Sequence, residues 1–110
     1  MITRYAFFEG TVKKEDTEAF RAAVMETILP HWKAFPGAIE VRVTFTDDCD
    51  EGAPEIPLIL AIDYADRATV DAALASDVRP RARAATEEVM SKFFSGRIYH
   101  HVTQANTFRP

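Results

Sequence analysis

Apolar alternation at period two opens this chain, gives way twice to long stretches at helix period, and returns after each of them. The order read from those changes is strand, helix, strand, strand, helix, strand within 110 residues. A chain in that order folds as a four-stranded antiparallel sheet with two helices on one face. The other face is then uncovered and the sheet edges are open, so a second copy of the chain is the first inference about how it works.

The spacing predicts a first strand from Ile2 to Glu9, with Thr3, Tyr5 and Phe7 on one face and Ile2, Ala6 and Phe8 on the other, closed by Gly10. Asp16 reads as the N-cap of the first helix, and Phe20, Val24, Ile28 and Trp32 form a stripe aimed at the sheet. Pro30 lacks a backbone donor and predicts a loosened last turn around His31 and Trp32 before Pro36-Gly37 ends the segment. A second strand is expected from Ala38 to Thr46 and a third, apolar on both faces except at Asp63, from Pro57 to Tyr64. Asp66 reads as the cap of a second helix, broken around Asp77 to Pro80 and stopped by Gly96. The last strand is expected from Arg97 to about Gln104. This is the βαββαβ order of a ferredoxin-like α+β protomer.

Composition narrows the function classes. The 47% apolar content supplies one core, and the length suits a single domain. A net charge of −4 argues against nucleic acid, which demands a basic face. Cys49 stands alone, so no internal disulfide forms and a reducing compartment is expected. No apolar run is long enough to span a bilayer, and the N-terminus enters a strand with no basic stretch before an apolar one. A cytoplasmic protein without membrane contact is the expectation.

The candidate sites weigh unequally. Asp47 to Gly52 resembles a calcium loop, yet alignment on Gly52 puts Leu58 where a bidentate glutamate belongs, so a solvated acidic loop is the better reading. His31, His100 and His101 are the only histidines, and no pair has zinc spacing, so no metal is expected. His100 and His101 face opposite ways on a strand, and the spacing leaves open which of them faces the uncovered side of the sheet. Cys49 has no basic neighbour to activate it as a nucleophile. Arg79, Arg81 and Arg83 read as a solvated helix face rather than an anion site. Arg42 and Asp63 belong to strands that pair in sequence and are expected together on the face away from the helices, as an ion pair at a dimer interface.

Three segments carry a family likeness: Leu29 to Gly37 leading into the second strand, Ala61 to Asp66 opening the second helix, and Ala72 to Asp77 with Phe93 to Gly96. Together they resemble the EthD-like branch of the dimeric α+β barrel superfamily, over nearly the whole chain. The resemblance implies a homodimer in which two sheets face each other and close a barrel, with the helices outside. It implies a role in breaking down ethers, lactones or aromatic compounds, or an accessory role with no chemistry of its own. Other members of the superfamily are cofactor-free monooxygenases of phenols or quinols, or haem degraders. The Asn on the first strand and the His on the second helix of the haem degraders are both missing here, so no cofactor is expected. The leading expectation is an apolar or aromatic small molecule in a pocket between helices and sheet. His31 would be its catalytic polar handle, and Tyr5 or Phe7, Trp32, Tyr64 and His101 its substrate-binding walls. A cofactor-independent oxygenase and a non-catalytic accessory or stress-related dimer stand as alternatives.

Overall fold

The computed structural model describes all of residues 1–110. Strand β1 (Ile2–Val12) is followed by a 3-10 turn (Lys14–Asp16), helix α1 (Thr17–Ala23), a π-helical segment (Val24–Ile28) and helix α2 (Leu29–Trp32). Strands β2 (Glu40–Phe45) and β3 (Leu58–Tyr64) precede helices α3 (Arg67–Leu74) and α4 (Val78–Phe93), and strand β4 (Phe94–Gln104) closes the chain. The sheet order is β2-β3-β1-β4 with every pair antiparallel. This is the ferredoxin-like arrangement that the element order predicts. The molecule is 20 Å thick, enough for one helical layer on one sheet and nothing beyond.

Alternation along β1 sets up both surfaces. Ala6 and Phe8 turn toward the helices and join the core with Leu58, Leu60, Ile62 and Tyr64 of β3. The helical stripe meets them: Phe20, Val24, Ile28 and Trp32 are all at most 3% exposed. Burial of such side chains contributes about 1.5–3 kcal/mol each, so this stripe is the main hold on the sheet. Asp66 caps α3 as expected, its carboxylate accepting from the Thr69 amide at 2.8 Å and the Thr69 hydroxyl at 2.7 Å. Gly37 turns the chain toward β2 at φ +78°, and a side chain there would collide with Thr69.

Four local expectations change. Asp16 accepts no capping hydrogen bond, because the chain enters the helix through the 3-10 turn instead. The disturbance from Pro30 falls one turn earlier than expected, in the π segment, while α2 around His31 and Trp32 is regular. A proline acts on the turn before it, where its missing N–H and its ring meet the carbonyl of the fourth residue back. Gly10 does not end β1, which runs on to Val12. Gly96 does not stop the helix either: α4 passes into β4 at Phe93–Phe94, and Gly96 lies opposite Gly10, where the backbones are too close for a Cβ on either.

Candidate functional site

Two regions concentrate chemistry, one on each side of the sheet. On the helix side, β1, β3, β4, α2 and the α3–α4 unit surround a cavity of about 250 Å³. Ala6, Phe8, Leu60 and Ile62 of the sheet, with Trp32 and Phe35, form its apolar wall. Along α4, Arg79, Ala82, Arg83, Thr86 and Glu87 follow at intervals of three and four and present one helical face to it. Arg4 and His100 enter from β1 and β4, on strands paired so that His100 lies opposite Ala6.

The charges in this cavity are unusual. Arg4, Arg79 and Arg83 belong to none of the protein's ion pairs. Burial, and then the neighbouring Arg79, lower the Arg4 pKa against a smaller upward pull from Tyr64. More than a third of His100 reaches solvent. Its imidazole is nevertheless pushed down to about 4, first by withdrawal from water and then by the charges of Arg4, Arg79 and Arg83. His100 is therefore neutral at physiological pH and offers an acceptor or a donor, not a charge.

On the other side of the sheet nothing covers β1, β3 and β4. Phe7 stacks on Tyr5 and Tyr99, with ring centroids 5.6 Å and 5.5 Å apart, and meets His101 edge-on at 5.1 Å. Beside this cluster Asp63 accepts from Thr3 Oγ1 at 2.6 Å and from both terminal nitrogens of Arg42, at 2.5 and 3.1 Å. Arg42 also reaches Glu40 at 3.1 Å. The Arg42 fork holds the Asp63 carboxyl below the usual range despite the opposing effect of burial, and Thr3 adds to the lowering. Asp63 and Thr3 are 9% and 1% exposed, so this is a satisfied network set into a half-buried face.

The sheet therefore divides the pocket expected from sequence. Trp32 lines the cavity, whereas Tyr5, Phe7 and His101 lie on the opposite face because odd positions of β1 and β4 point away from the helices. Tyr64 is on the helix side but sealed in the core, 1% exposed, where burial raises its pKa against the pull of Arg4. His31, half-buried on α2, is not among the residues lining the cavity. Arg42 and Asp63 do meet on the face away from the helices. Arg79, Arg81 and Arg83 are all exposed, as a solvated helix face requires, and Arg79 and Arg83 line the cavity as well. Of the charged and polar residues at this cavity, Arg4 goes unremarked in the sequence, Arg79 and Arg83 read there as a solvated face, and His100 stands there as an alternative to His101. Arg4 carried a readable signal, a charge at the position that shares the buried side of β1 with Ala6 and Phe8.

A second recess of about 290 Å³ lies at the other end, where the 47–57 loop meets β1 and α1. Its charges are largely self-satisfied: Arg21 pairs with Asp47 at 3.1 Å, and Thr11 donates to Glu55 at 2.9 Å. No three His, Cys, Asp or Glu side chains come together as a metal site requires, and no helix is long and apolar enough to cross a membrane.

No family model matches the chain, and no curated protein matches its sequence. Solved structures do. An EthD family protein of Bacillus halodurans superposes with a TM-score of 0.70 at 20% identity, over 96% of this chain and 99% of that one. The chain shares the fold of an EthD family protein. A dimeric ferredoxin-like protein of Thermobifida fusca matches over 94% of this chain and 90% of its own, with a TM-score of 0.61 and 18% identity. SnoaB, a cofactor-independent oxygenase of Streptomyces nogalater, solved as a mutant, matches over 99% of this chain and 96% of its own, with a TM-score of 0.62 and 16% identity. The EthD likeness expected from sequence is thus met at the level of the fold.

Proposed function

We propose that this chain is an EthD-like small-molecule-binding protein or enzyme of a catabolic step, with its ligand site in the cavity between α4 and the sheet. One observation carries the reading: an apolar wall including Phe8 and Trp32 converges with polar groups from three separate elements. Such a combination is the usual build of a small-ligand site. Within this reading the polar handle assigned to His31 from sequence passes to His100, which stands at the cavity. The test is a thermal-shift screen with aromatic, ether and lactone compounds, since selective binding to the folded state raises Tm. Thr86→Phe, which fills the cavity from α4, should abolish every shift found. A shift that survives that change would place the ligand elsewhere.

The protein acts as a homodimer, closing the uncovered sheet face over its twin. Tyr5, Phe7, Tyr99 and Ile59 support this, being large apolar groups on a face that no element of the protomer covers. In the dimer, Arg42 and Asp63 fix the register of the two faces, and Tyr5, Phe7 and His101 line the barrel. Light scattering should give twice the 12.4 kDa protomer mass, and Phe7→Asp should halve it. A wild-type monomer at micromolar concentration would sink the assembly.

A second reading, a cofactor-independent oxygenase of phenols or quinols, is favoured by one feature. Neutral His100 stands among guanidinium groups that would hold a phenolate. Oxygen consumption on mixing with a panel of quinols, lost in His100→Ala, is its signature. A protein that binds ligands in the thermal screen but consumes no oxygen is a binder, and one that binds nothing is an accessory dimer.

A further inference from the structure

We infer that the ligand of this cavity is a small carboxylic acid with a single apolar, ring-sized body, its carboxylate held between Arg4, Arg79 and Arg83. The inference rests on the cavity being the ligand site, and it specifies what chemistry that site selects.

The charge distribution is the first argument. The chain as a whole is acidic, with 17 carboxylates against 13 lysines and arginines, yet three of those arginines surround one cavity. Glu87 is the only carboxylate lining it and pairs with none of them. Elsewhere four arginines are answered, Arg42 by Asp63 and Glu40, Arg21 by Asp47, Arg67 by Asp71 and Arg97 by Glu9, while Arg81 and Arg109 stand exposed in solvent. Half-buried Arg4 has no such partner, and withdrawal from water beside the like charge of Arg79 disfavours its charged form. An anion placed among the three removes that conflict. The planar guanidinium fork fits a carboxylate with two parallel hydrogen bonds.

Size and polarity supply the rest. A cavity of roughly 150 Å³ holds one benzene ring. The 250 Å³ here therefore has room for a ring and a short acidic substituent. Phe8 and Trp32, with centroids 6.5 Å apart at 62°, provide an aromatic wall suited to edge contacts with such a ring. His100, neutral in this setting, can hydrogen-bond to the acid without adding charge.

The test compares acids with their neutral isosteres in the full chain at low ionic strength. Benzoate, phenylacetate, salicylate and phenoxyacetate are set against the corresponding amides, with inorganic phosphate as an anion lacking an apolar body. The acids should bind at least tenfold more tightly than the amides and raise Tm, and added salt should weaken only the acids. Arg83→Gln should remove the preference for the acids while leaving the weak amide binding. Arg4→Met should cut acid binding at least tenfold yet raise the melting temperature of the unliganded protein, the opposite of what a merely structural arginine would do. Amides binding as well as acids would overturn this inference and leave the cavity reading standing. Phosphate binding as tightly as the acids would also overturn it, as an unselective basic patch. If neither acids nor amides bind, the ligand site itself is misplaced and both readings fall.

Discussion

On the uncovered face of the sheet the charged side chains answer one another, whereas in the cavity behind it they do not. Asp63 takes three hydrogen bonds from Thr3 and Arg42, and the network is complete without any ligand. Arg4, one residue along the same strand from Thr3 and facing the other way, has no carboxylate at all. A satisfied buried network fixes geometry, which is what a surface that docks against a twin requires. Half-buried Arg4, beside apolar walls and without a carboxylate, is a charge that an anionic ligand would answer. On the function proposed above, the two faces of one strand divide the work of assembly from that of binding.

The comparison breaks most severely at Trp32, which belongs to the core and to the cavity wall together. Trp32→Ala should cost about 3–5 kcal/mol in denaturant unfolding. It should also abolish ligand shifts, because the same side chain closes both. A loss below about 1 kcal/mol would show that the helical stripe does not carry the sheet.

Asp63→Asn should come next, at about 1–3 kcal/mol, for the hydrogen bonds it weakens and the Arg42 charge it leaves unanswered. Its pH signature separates it from a packing defect. The folded carboxyl titrates below its ordinary range, so its stabilisation is fully present above about pH 4 and is lost as pH falls through the folded value. The wild type should therefore lose stability steeply below that pH, and Asp63→Asn should flatten the slope. Ligand binding in the cavity should not change in this variant. A wild-type profile no steeper than the variant's would count against the ion pair.

The histidines give the smallest stability effects and the sharpest contrast. His100 is neutral when folded down to about pH 4, while an unfolded histidine protonates near 6.5. Falling pH should therefore erode stability between those two values, and His100→Gln should remove that part of the slope. NMR of the imidazole protons should find the His100 midpoint near pH 4. His31→Ala should alter stability by less than about 1 kcal/mol and ligand binding less than His100→Ala does. The reverse order in binding would return the handle to His31.

Much of this was legible in the sequence where period and parity decide the answer. Asp66 as a cap, the stripe from Phe20 to Trp32, and the meeting of Arg42 with Asp63 all follow from spacing within one element or across adjacent strands. The cavity's polar side was not legible as a site, for two physical reasons. The break between α3 and α4 resets the helical phase, so nothing in the order Arg79, Arg81, Arg83 says which of them turns inward. The continuous passage of α4 into β4 at Phe94 fixes which histidine faces the helices, and a glycine at 96 suggested a stop that the chain does not make. The split of Tyr5 and Phe7 from Trp32 was available, since alternation along β1 already assigned them to opposite sides.

The π segment Val24–Ile28 carries a consequence for how this helix can vary. Apolar residues at 20, 24, 28 and 32 advance by four, and in a regular α-helix each such step drifts by about 40°, which would swing Trp32 well away from the line of Phe20. The wider π turn absorbs that drift. Removing one residue from it, such as exposed Met25, would leave spacings of four, three and four, the ordinary pattern of a straight amphipathic helix. The segment thus behaves as a one-residue insertion in a standard helix. Straightening it would, however, press the Pro30 ring against the carbonyl four positions back, at a cost of about 3 kcal/mol. The extra residue and the proline are bound into one unit of variation: a relative that lacks the first should also lack the second, and a single deletion here needs Pro30→Ala as its companion.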